Sequence, residues 1–154
     1  MLHKLKALFA DFDRASPPGE RDLQLASAAL LIEIGKADRE RDPREQAAIA
    51  EAIRTTFSLD DATIAELLSD AESASESAPS LYDFTHVINE CCREEEKFRL
   101  IRECWRVAFA DGNLDKYEDH TIRKIGDLIY LPHSLLIKAK LEVKAKLEVV
   151  GKTD

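Results

Sequence analysis

The chain has 154 residues, 45% of them hydrophobic and 34% charged, a balance that suits one folded domain and excludes a disordered chain. Lys and Arg number 22 against 30 Asp and Glu, a formal charge of −8, which argues against a nucleic-acid partner and leaves cations and basic protein surfaces. Five glycines and five prolines are too few for the turns of a sandwich or barrel, and no apolar run approaches the ~18–20 residues of a membrane span.

The N-terminus reaches Asp11 and Asp13 without the long apolar stretch of a secretory signal. Leu2, Leu5, Leu8, Phe9 and Phe12 recur at helical spacing and form one face of a first helix, which Ser16-Pro17-Pro18-Gly19 ends. From Arg21 to Ala37 apolar residues occupy almost every face, so the second helix is expected to be central and buried. Asp42-Pro43 opens a third helix with Ile49, Ala52, Ile53 and Phe57 inside, and Ser58 to Asp61 restarts the chain into a fourth carrying Ile64, Leu67 and Leu68. Ser69 to Ser80, rich in Ser, Ala and Glu, reads as a solvated helix end plus linker.

A helix with Phe84, Val87, Ile88 and Cys91 follows, then one lined by Phe98, Ile101, Trp105, Ala108 and Phe109. Asp115 to Ile129 carries Ile122 and Ile125, and after Leu131-Pro132-His133 a last helix holds Leu136, Ala139, Val143 and Leu147. The fold class is all-α: about eight helices in one domain over residues 21–150, preceded by an amphipathic helix and linker over residues 1–20.

An offset of 73 residues aligns the two halves, roughly residues 23–68 and 96–141. It pairs Ile34 with Val107, Asp38 with Asp111, Asp42 with Asp115, Glu45 with Glu118 and Ile49 with Ile122, then Phe57 with Tyr130, Ile64 with Ile137 and Leu68 with Leu141. No gap is needed, and the expectation is two related helical units around one core.

The offset superposes two acidic turns of the form Ala-Asp-x-x-x-Asp-x-x-Glu, starting at Ala37 and Ala110. Asp followed three residues later by Glu is a capping box, and capping accounts for Asp42, Glu45, Asp115 and Glu118 as readily as ligation does. Asp38 and Asp111 differ, because each closes a buried helix whose exposed carbonyls already disfavour a carboxylate by ~0.3–1 kcal/mol. Gly112 offers a left-handed cap as a reason for Asp111, but Asp38 is followed by Arg39. Carboxylates gathered at a negative helix end suit a bound cation. The candidate ligands are Asp38, Asp42, Glu45, Asp111, Asp115 and Glu118, all oxygen donors that favour Ca²⁺, Mg²⁺ or Mn²⁺. The second turn is not an EF-hand: its sixth position is Lys116 and its Glu comes eighth.

Ala108-Phe109-Ala110-Asp111-Gly112 followed by Glu118 to Ile122, with a first copy in Gly35 to Asp38 and Glu45 to Ile49, resembles the tellurite-resistance TerB-like family over roughly Leu23 to Leu141. The first copy departs in having Arg39 for Gly. The resemblance implies an all-helical domain whose acids chelate metal, tied to tellurite and chemical-stress responses and found beside membrane-associated partner proteins. The expected role is a sensor or scaffold. The expected location is the cytoplasm, extending to the periphery of the inner membrane. The alternative is a metal-free protein-interaction module, with Arg39, Arg41 and Arg44 neutralising the acids.

Cys91, Cys92 and Cys104 form no Cys-x-x-Cys pair and read as thiols of a reduced chain, packed as small hydrophobes. His86, His120 and His133 read as surface or turn residues. No triad or phosphate-cradling loop is recognisable, so no enzyme is expected. Lys4 and Lys6 at one end, and Lys138, Lys140, Lys144 and Lys146 at the other, flank apolar stripes expected to complete the core while the lysines stay in water.

Overall fold

The computed structural model describes residues 18–37 and 42–152, which hold seven helices and no strand. They are α1 (Glu20–Ala37), α2 (Pro43–Phe57), α3 (Asp61–Ser77), α4 (Tyr82–Cys91), α5 (Glu94–Ala108), α6 (Lys116–Leu128) and α7 (His133–Lys152). The helix expected from Leu2 to Phe12 lies outside the described residues.

Local chemistry sets the boundaries. Pro43 stands in the first turn of α2, and the Asp42 carboxylate accepts from the Arg44 amide. Asp60 caps α3 by accepting from the Thr63 amide, and Asp115 caps α6 by accepting from the Tyr117 amide. After α2 the chain turns through a left-handed Ser58 at φ 55°, and after α6 through Tyr130 at φ 58°.

The expectation of a central second helix holds. α1 packs against α2, α3, α4, α5 and α6, and Ala28, Ala29, Leu30 and Ile34 are fully buried. The reading of Ser69 to Ser80 needs correction. α3 runs on to Ser77, and Ala71, Ala74 and Ser75 are buried. Small side chains bring α3 close along α1, and polar groups then pin the pair: Arg21 meets Asp70 at 3.0 Å, Lys36 donates to Ser75 Oγ at 2.7 Å, and Ser75 donates to Glu33. The linker is reduced to Ala78–Leu81.

The 73-residue offset also changes along the chain. At that spacing Ile34 and Val107 are both buried, as are Ile49 and Ile122, and Asp42 and Asp115 are both caps. From the left-handed turns onward, positions alike in φ or burial stand 72 apart. Ser58 matches Tyr130 in φ, and the buried Ile64, Leu67 and Ala71 match the buried Leu136, Ala139 and Val143. Tyr130, Ile137 and Leu141 are therefore not the counterparts of Phe57, Ile64 and Leu68; Tyr130 is 80% exposed and Leu141 57%. The stretch from the cap Asp115 to the left-handed Tyr130 is one residue shorter than that from Asp42 to Ser58, and a one-residue slip turns a helix by about 100°. Leu147 is a second correction: it is exposed beyond the part of α7 that enters the core.

Candidate metal centre

The acidic turns fall between α1 and α2 and between α5 and α6. Of the six expected ligands, Asp38 lies outside the described residues and the other five are placed. Packing crosses between the halves, with α2 against α5 and α1 against α6. The turns are also electrostatic neighbours. Asp42 above all, with Asp111 and Glu45 adding to it, holds the Arg44 guanidinium above its ordinary pKa.

Each residue type has its own task. Asp42 and Asp115 are N-caps. Asp42 Oδ1 takes the Arg44 amide at 2.8 Å, while the guanidinium spans Oδ1 at 3.1 Å and Oδ2 at 2.8 Å. That contact holds the Asp42 carboxyl below the usual carboxylate range. Asp115 Oδ1 takes the Tyr117 amide at 2.6 Å. Asp111 lies three residues beyond the end of α5 and accepts from the Asn113 amide at 3.0 Å, across a turn that Gly112 makes at φ 88°. The left-handed glycine is therefore part of the reason for Asp111.

Glu45 and Glu118 turn inward. Both side chains are fully buried, at 0% exposure. Glu45 Oε2 rests against Gly35, 3.7 Å from where a Cβ would stand, so the carboxylate lies under the last turn of α1. A glutamate serving a capping box reaches back over the surface, as Glu96 does to the Arg93 amide at 3.2 Å. Two glutamates fully buried in the first turns of α2 and α6 are a different arrangement. Among the described residues, no three His, Cys, Asp or Glu side chains converge where an ion would sit.

A second charged cluster escaped the sequence reading. Asp119 takes Arg123 on its own helix and Lys140 of α7 at 3.0 Å, and the Lys140 ammonium stands 5.2 Å from the centre of the buried Trp105 ring. The four-residue spacing of Asp119 and Arg123 was its only trace in the sequence. Burial pushes the Asp119 carboxyl up, but bonds from Arg123 and Lys140 outweigh it and leave the group below its ordinary 3.8. A depressed carboxyl stabilises the fold above its unfolded pKa, and the benefit is lost as pH falls through the folded one. Asp119→Asn should cost about 1 kcal/mol at pH 7 after solvent screening. In urea melts the gap should persist to about pH 4 and close below it.

The thiols follow expectation. Burial pushes Cys104 up, and Cys91 and Cys92 less far, Cys92 to about 11. His120 is exposed, and His86 stacks on Tyr82 with ring centres 5.4 Å apart. Lys138 stands 5.7 Å from the centre of the Phe98 ring, so two of the α7 lysines are structural. No described helix is long and apolar enough to cross a membrane.

These features define an all-helical domain with paired acidic helix junctions, each backed by a buried glutamate. Residues 24–141 match the family model for tellurite resistance protein TerB. The chain belongs to the TerB family. No curated protein and no solved structure matches it.

Proposed function

We propose that this TerB-family domain binds a divalent cation at its two acidic turns and works, without catalysis, as a sensor or scaffold in tellurite or chemical-stress response. The observation that carries the reading is the complete burial of Glu45 and Glu118, one turn inside the caps Asp42 and Asp115. An ion at such a junction would add positive charge beside the inward carboxylates and draw the outer acids together. Asp38, Asp42, Glu45, Asp111, Asp115 and Glu118 are the proposed ligands, and their oxygens favour Ca²⁺, Mg²⁺ or Mn²⁺. The matched caps and buried glutamates also support two related units, each contributing one turn. The place of action on this reading is the cytoplasm, beside membrane-associated protein partners.

One contact favours a second reading. The Arg44 fork on Asp42 neutralises a proposed ligand without any ion, as a metal-free interaction module would require. Thermal melts of chelator-stripped protein with added divalent ions separate the two. An ion at a hundred times its dissociation constant should stabilise the fold by about 2.7 kcal/mol, a rise of roughly 5–10 °C at this size. Asp38→Asn with Asp111→Asn should abolish the rise. No rise with any of the three ions would leave the interaction module.

A further inference from the structure

We propose that the groove between α5 and α7 is a docking site for an acidic amphipathic helix of a partner protein. The site needs no metal ion and is separate from the acidic turns. A hexapeptide written twice in succession creates it: Lys-Ala-Lys-Leu-Glu-Val occupies residues 138–143 and again residues 144–149. Six residues turn a helix by about 600°, roughly 120° short of two full turns, so the two copies face different ways. In the first copy Ala139 and Val143 enter the core, at 0% and 2% exposure. Their counterparts Ala145 and Val149 are exposed on another side of α7. That side forms one wall of a groove of about 580 Å³, and Arg102 and Arg106, one turn apart on α5, form the other.

Shape and charge together define the occupant. Both walls are helices that present side chains once per turn, so a third helix laid along them meets the apolar residues with one stripe and the cations with its flanks. Three cations, Arg102, Arg106 and Lys146, line the groove against the single carboxylate of Glu142, on a chain of formal charge −8. The pairings already made leave positive charge over. Arg106 pairs with Glu103 on its own helix, but Arg102 reaches Glu142 only at 3.4 Å, and its buried Nε–H has no acceptor among the described residues. Lys146 attracts Glu103 only through space. Glutamates flanking an apolar stripe would meet these cations, whereas a second copy of this chain would approach against like net charge.

Fluorescence anisotropy on the full chain tests this with a labelled synthetic helix of about 16 residues, Leu at every third or fourth position and Glu on both flanks. Lys146→Glu and Val149→Asp change exposed side chains, so both variants should fold as wild type does. Each should weaken binding of the acidic helix about tenfold, the loss expected for one groove contact. A helix with Lys in place of every Glu should bind Lys146→Glu more tightly than it binds wild type. Amide resonances shifted by the acidic helix should lie on α5 and α7. Equal binding to wild type and both variants would overturn the proposal, as would no binding to wild type at about 1 mM chain. A wild-type dimer in sedimentation that Val149→Asp dissolves would also overturn it, by giving the groove to a second copy.

Discussion

Trp105→Ala should lower stability by about 3–5 kcal/mol, a large fraction of what holds a domain of this size together. The ring is fully buried, its Nε1–H donates to the Leu136 carbonyl at 3.1 Å, and Lys140 stands over its face. It therefore joins α5 to the start of α7 by packing, hydrogen bond and charge at once. Alanine removes all three and leaves a cavity that the surrounding helices cannot close without moving. Trp105→Phe keeps most of the volume and should cost less than half as much. Denaturant unfolding checks both, and equal losses would mean that ring volume is not what matters there.

Glu118→Lys should cost a similar about 3–5 kcal/mol by placing a longer side chain of opposite charge in a fully buried position. Its value lies in the comparison with Glu118→Gln, which keeps the shape and removes the charge. The glutamine variant should fold, and under the ion proposal it should lose most of the temperature rise produced by divalent ions. Circular dichroism melts with and without Mn²⁺ read both effects. A glutamine variant that keeps the full ion response would remove Glu118 from the ligand set.

The parts of the fold written in local chemistry were legible. Asp42-Pro43 and Asp115 start their helices as cap rules require, and the unbroken apolar surface of α1 marked the central element. Three features were hidden, for definite physical reasons. In α7 the run Leu135-Leu136-Ile137 satisfies an apolar pattern in either of two registers. The helical spacing picked Leu136, which packing uses, whereas the ungapped repeat paired Ile64 with Ile137. In α3 the alanines carry little hydrophobic weight, so a close-packed helix read as a solvated one; their contribution is the short distance they permit to α1. At the acidic turns the caps were readable, but the burial of the glutamates was not, because acids in a first helical turn usually face water. The clue was spacing: Glu45 with Ile49, and Glu118 with Ile122, lie four residues apart on one face, and that face is the core.

The position of α1 has a consequence for how the molecule is made. Its partners include α5 and α6, so its buried surface is completed only when the chain has been synthesised through Leu128. Until then Leu30, Leu31 and Ile34 emerge from the ribosome before the helices that shelter them. The part of α1 that packs on α5 and α6 stays uncovered until those helices are made, although α2, α3 and α4 can cover the rest sooner.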